Sequence, residues 1–246
     1  EFEALAPQIA EKPRNTAREN NQAQQARAKK EGVDCTGIVH QGEDSYKYIV
    51  DEAAKNKITM IILGRRGRTG LKRLMMGSVT ARVIGHAACN VLVVPRAAKV
   101  EFKNILVATD GSKYSAAAAS EAIGLAKRNG SKLTVISVVP SELMTPTDIE
   151  FSMPQRELIA EKEMHAAEKN AKAVKDAAQK AGVAVQAFVM SGKPSDAIIE
   201  TAREKGVDLI VQGSHGRTGL EKLLMGSVTE RVIVLSTCAV LVVKTA

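Results

Sequence analysis

Two stretches of this chain carry glycines at matched spacings that suit phosphate chemistry. Gly64, Gly67, Gly77 and Ser78 follow the pattern G-x2-G-x9-G-S, and Gly213, Gly216, Gly226 and Ser227 repeat it. Glycine has no Cβ, so its backbone can come close to a phosphate. A helix opening just after such glycines adds unpaired N–H groups and the positive end of its dipole. A helix is predicted from Val228, so the N–H groups around Ser227, Val228 and Thr229 face the same place. Ser227 has two readings: a hydroxyl donor to phosphate, or the first residue of a capping box, Ser227-Val-Thr-Glu230. The first copy keeps Ser78 but has Ala81 in place of Glu230. His215 and Arg217 stand in the glycine loop either as phosphate-facing groups or as solvated side chains. Arg66 and Arg68 are their counterparts. Gly70 and Gly219 read as turn residues. No Lys-Ser or Lys-Thr pair follows the last glycine, so this is not a Walker A loop. Nor is there an oriented base beside a nucleophile, and chemistry beyond slow hydrolysis has no residues to carry it.

The glycines belong to a longer repeat. Residues 64–94 and 213–243 match at a constant offset of 149, with 20 of 31 positions identical. That spacing is too long for a solenoid unit and fits a whole α/β domain. The second copy shows its full pattern. Strands are expected at 104–109, 133–139, 183–190, 209–212 and 240–243, with helices at 113–129, 155–181, 195–205 and 228–235. Residues 141–154 are proline-marked and read as a loop. Strands alternating with helices imply parallel pairing with helices on both faces. The runs NILVA and VLVV agree, because strands buried on both faces show no polar alternation. The strand, helix and strand that open the second copy have no counterpart in the first, and the chain begins with Glu. We therefore expect a truncated first domain, or one completed from elsewhere, over residues 1–96 and a complete domain over 97–246. Residues 14–30 are polar throughout and read as a solvated helix.

Composition narrows the classes. The 246 residues are 45% hydrophobic but only 3% aromatic, so the cores must be built from Val, Ile, Leu, Ala and Met. The net charge of +8 suits an anionic partner. Nucleic acid is disfavoured, since no basic run is interleaved with stacking aromatics. Cys35, Cys89 and Cys238 have no paired spacing for zinc or redox chemistry, and an odd count suits a reducing cytoplasm.

ILVATDGS at 105–112, GSHGRTGLEKLLMGSVTERV at 213–232 and VLVV at 240–243 together resemble a universal stress protein, and the doubling resembles its tandem form. The resemblance implies a doubly wound five-stranded parallel sheet of order 3-2-1-4-5 in each repeat, the first one N-terminally incomplete. It implies a subclass that binds ATP, with Mg2+, and a nucleotide-dependent binding or signalling role in the cytoplasm. It puts Asp110 at the nucleoside end and the backbone of Val138 against adenine. In that strand order the crevice between strands one and four is a switch point, where open α/β sheets bind ligands. Asp110 also has a plainer reading as a turn or N-cap residue. Two other functions remain open: a slow ATPase or nucleotidyl-transfer enzyme, and a structural dimerisation protein that binds no nucleotide. The fifth strands, Val240–Val243 and Val91–Val94, lie at sheet edges in that order. Open apolar edges pair, so they are expected to meet, within one chain or between chains.

Overall fold

Burial of short apolar strands between helices organises this chain. A computed structural model describes residues 2–66, 75–140, 153–217 and 225–245. Two compact units are present, residues 1–48 and residues 49–246.

The first unit is built on α1 (Phe2–Lys30), whose described side chains are mostly exposed, as its polar sequence requires. The chain turns at Gly32, with Val33 N–H returning to the Ala28 carbonyl at 2.9 Å. Residues 33–41 then form no strand. The second repeat has β-strand at the corresponding place, so the two repeats differ here. A strand needs a neighbour's backbone, and here α1 side chains take its carbonyls instead: the Asn21 amide donates to Ile38 O at 2.9 Å and Gln25 to Cys35 O at 3.3 Å.

α2 (Ser45–Lys55) leads into the second unit, where β1 (Met60–Gly64), α3 (Ser78–His86) and β2 (Asn90–Val94) complete the first repeat. The second repeat supplies β3 (Asn104–Ala108), α4 (Lys113–Asn129), β4 (Lys132–Pro140), α5 (Met153–Lys180) and β5 (Val185–Gly192). It ends with α6 (Pro194–Glu204), β6 (Leu209–Gly213), α7 (Ser227–Leu235) and β7 (Ala239–Val243). Local chemistry sets these limits. Ser112 caps α4, accepting from Ser115 N–H at 3.2 Å, and Gly130 closes it in the left-handed conformation at φ 65°. Pro194 opens α6 with a φ already suited to a helix. Of the expected loop at 141–154, residues 141–152 lie outside the described residues, and α5 already begins at Met153.

Among the described residues seven strands share one sheet of order β1-β2-β7-β6-β3-β4-β5. Within the second repeat this is the expected 3-2-1-4-5. Every ladder is parallel except one: β2 meets β7 antiparallel, with Val91 opposite Val242, Leu92 opposite Leu241 and Val93 opposite Val240. The two fifth-strand edges therefore meet within one chain. β6 and β7 are buried throughout and form the centre of the sheet. The repeats differ where α4 is concerned. Val211 lies on β6, against which α4 packs, and is 0% exposed, whereas its counterpart Ile62 on β1 is 64% exposed. Among the described residues no helix is long and apolar enough to cross a membrane.

Candidate functional site

The sheet changes direction between β3 and β6, and the residues that end these two strands are tied to each other. Asp110 follows β3. Its Oδ1 accepts from Ser112 N–H at 3.0 Å, while Oδ2 accepts from the backbone N–H of Arg217 at 2.9 Å. The helix cap is Ser112, so Asp110 is a turn residue that also anchors the glycine loop. Burial pushes the Asp110 carboxyl upward, but hydrogen bonds from Ser112, Ser115 and Arg217 outweigh it and hold the group below the usual carboxylate range. The folded value thus lies below the unfolded one, about 3.9. Asp110 contributes stability that is complete above about pH 4 and is lost as the pH falls through the folded value. Asp110→Asn should accordingly be less stable than the parent in urea at about pH 7, with the gap narrowing as the pH falls below about 4. A gap of constant size would refute the assignment of an ionised anchor.

The glycine loop is framed identically in both repeats. After β6, Ser214 N–H donates to Val243 O at 3.2 Å and Gly226 N–H donates to Ser214 O at 2.8 Å. The Thr229 hydroxyl donates to Gly213 O at 2.9 Å. After β1, Arg65 N–H donates to Val94 O at 3.2 Å, Gly77 N–H to Arg65 O at 3.0 Å, and the Thr80 hydroxyl to Gly64 O at 3.0 Å. The Thr229 side chain is therefore spent on the frame, and only its N–H is left for the crevice.

The glycines have other neighbours than phosphate. A Cβ on Gly213 would stand 2.7 Å from the Tyr114 backbone, so this glycine lets α4 approach β6. A Cβ on Gly216 would stand 2.9 Å from Asp110 Oδ2. At both positions the missing side chain makes room for the protein itself, for α4 at Gly213 and for the Asp110 carboxylate at Gly216. Gly226 is the N-cap of α7 and carries no side-chain cap bond, and Gly77 caps α3 in the same way. The helix starts at Ser227, so the capping-box reading does not hold. Ser227 and Val228 are exposed at the first turn, as is Ser78 on α3.

The remaining candidates are placed as follows. His215 is half-buried, its ring tilted against Tyr114 at 5.3 Å and its Nδ1 3.1 Å from Ser214 Oγ. Arg217 pairs with Glu163 of α5 at 2.8 Å, bridging the glycine loop to that helix. Val138 is half-buried on β4, opposite Met190 of β5. The Ile136 carbonyl accepts from Thr109 N–H on the β3 side at 2.9 Å. Val138, two residues on, points its peptide groups the same way, beyond the last β3 pairing at Ala108. Gly67, Arg68, Gly70 and Gly219 lie outside the described residues. Among the described residues no cluster of His, Cys, Asp and Glu is suited to hold a metal. Tyr114, Arg65 and Glu163 were not singled out by the sequence, since each acts across a long chain separation. Arg65 alone carried a signal, as a non-identical position inside the repeat.

The profile of the universal stress protein family matches residues 2–95 and again 101–244. A universal stress protein of Methanocaldococcus jannaschii is 41% identical over 143 residues, covering 58% of this chain and 82% of that protein. Another from Bacillus subtilis is 36% identical over 148 residues, covering 58% of this chain and 99% of that protein. Among solved structures, a universal stress protein from Archaeoglobus fulgidus aligns over 100% of this chain and 81% of that one, with a TM-score of 0.70. At 22% identity that likeness is one of fold.

Proposed function

The chain belongs to the universal stress protein family, and from that premise we propose that its second repeat binds ATP and serves as a nucleotide-dependent binding or signalling module. One observation carries the reading. At the switch point α7 opens on a glycine cap, and among the described residues no side-chain cap bond forms there. Anions bind such helix ends through both the free donors and the dipole. Phosphates would lie against the N–H groups of Ser227, Val228 and Thr229, and the Ser227 hydroxyl would add a donor. The open peptide of Val138 has the orientation to meet the adenine edge. Asp110, ionised and fixed, has lone pairs left for ribose hydroxyls. Mg2+ would ride mainly on the phosphates and water, as it does where a protein offers few carboxylates. The thiols of Cys35, Cys89 and Cys238 are all unpaired, which suits work in a reducing cytoplasm.

Two measurements test this. Mass spectrometry of the ligand released on denaturing fresh protein should find an adenine nucleotide. Added ATP with Mg2+, at a hundredfold excess over Kd, should stabilise by about 2.7 kcal/mol and raise Tm by about 5–10 °C. Protein that carries no nucleotide and melts unchanged with ATP would favour a purely structural role. Steady phosphate release abolished by Asp110→Ala would favour an enzyme.

A further inference from the structure

The seam between the repeats holds a contact that the repeat does not predict. Arg65 stands in the first repeat's glycine loop, where the second repeat has Ser214. Its backbone is fixed twice, by Val94 O at 3.2 Å and by Gly77 N–H at 3.0 Å. Its guanidinium crosses to the carboxyl end of α7. There Nη1 donates to the carbonyls of Ile233 at 3.3 Å, Val234 at 3.0 Å and Ser236 at 2.6 Å. These are groups that a helix end leaves without internal partners. Burial, and then the neighbouring Arg66 cation, lower the Arg65 pKa from its ordinary value, yet arginine stays charged in proteins.

The contact is one-sided. α7 has no basic residue in its last turn, whereas α3 has His86 in its own. The cation that complements the negative end of α7 therefore comes from the other repeat. α7 has only nine residues, about 13 Å of helix, so the clamped end and the Gly226 end move together. Val232 and Ile233 seat its inner face, at 0% and 1% exposure. The Thr229 hydroxyl and the Gly226 N–H hold its amino end to β6 and Ser214, and Arg65 holds its carboxyl end.

We infer that Arg65 is a positioning residue for the second repeat's nucleotide site: from the first repeat's glycine loop it fixes where the amino end of α7 stands. The inference rests on the ATP reading above. It also makes one arm of the seam part of the site, so the first repeat's loop serves the second repeat whether or not it holds a ligand itself.

The test compares the parent chain with Arg65→Ser, which installs the residue found at 214, and with Arg65→Lys, which returns a cation and its donors. The first readout is calorimetric affinity for ATP with Mg2+. The second is amide exchange in the ligand-free protein at Glu230, whose N–H makes the first bond of α7, to Gly226 O at 3.0 Å. Arg65→Ser should weaken ATP binding about fivefold, the size of a coupling carried through packed elements, and speed exchange at Glu230 by a similar factor. Arg65→Lys should recover most of both. If Arg65→Ser does not fold, Arg65→Gln, which keeps the stem and an amide donor, takes its place. Exchange at Glu230 equal to the parent's overturns the inference, even if Tm falls, because a merely structural seam contact would lower Tm alone. A parent that binds no ATP, with exchange at Glu230 still responding to Arg65, would sink the nucleotide reading and leave the clamp on α7 standing.

Discussion

Gly213→Ala should strongly destabilise the protein, whereas Gly64→Ala, the same change at the same place in the other repeat, should be nearly neutral. At Gly213 the new Cβ would meet the Tyr114 carbonyl carbon and Cβ at 2.7 Å and its carbonyl oxygen at 2.8 Å. These atoms belong to the first turn of α4, which cannot yield without lifting the helix off β6. Tyr114 is itself buried, and α4 closes over Ile105, Val107, Leu209 and Val211, all 0% exposed. Overpacking of this kind costs about 1–3 kcal/mol or more. In a chain of this size, 3 kcal/mol is a fall in Tm of about 6–12 °C. At Gly64 the nearest atom to a new Cβ is the Arg66 carbonyl oxygen at 3.5 Å, an ordinary contact. No α4-like helix packs there among the described residues, so the change should stay within about 0.5 kcal/mol. Thermal and urea unfolding of both variants decide the matter. Equal losses would mean that the glycine serves the loop's backbone and not the approach of α4.

That contrast marks how far the sequence could be read. The second repeat's strands were legible because NILVA, LIVQG and AVLVV are buried on both faces and show no polar alternation. The meeting of β2 and β7 was legible for the same reason, since two apolar edges can escape water by pairing. The identity of the two glycine loops has a cause that spacing alone does not reveal. Thr80 and Thr229 each return a hydroxyl to the strand's last carbonyl, which holds G-x9-G-S-V-T together with or without a ligand. Two things were out of reach. Residues 33–41 form no strand where the second repeat has β5, because a strand exists only beside a partner and the Asn21 and Gln25 amides of α1 take the carbonyls of Ile38 and Cys35. The roles of Gly213, Gly216 and Arg65 depend on Tyr114, Asp110 and the end of α7. Arg65 and Ser236 are 171 residues apart, and no periodicity in a sequence relates them.

ATP should bind this 246-residue chain at one site, and the identity of the two glycine loops makes that a demanding expectation. Both repeats open a helix on an uncapped glycine, with Ser78 and Ser227 exposed at the first turn. Both frame that helix with the same three hydrogen bonds. A count based on the phosphate cradle alone would give two sites. The nucleoside half decides otherwise. Beside the second cradle stand the fixed carboxylate of Asp110 and the peptide of Val138, beyond the end of β3. Among the described residues β1 pairs only with β2, and none stands in the first repeat where Asp110 and Val138 stand in the second. Two polar contacts, each worth about 1.4 kcal/mol, make the first cradle weaker by about a hundredfold. Titration calorimetry should therefore give a stoichiometry near one. Gly226→Val should abolish binding: its Cβ makes only ordinary contacts, 3.4 Å from His215 Cα and 3.6 Å from Ser214 O, so the loss would come from the branch standing over the first N–H groups of α7 where phosphate would lie. Gly77→Val should leave the stoichiometry at one. Two sites of similar affinity would show that phosphate contacts dominate and that Asp110 is an anchor for the glycine loop and nothing more.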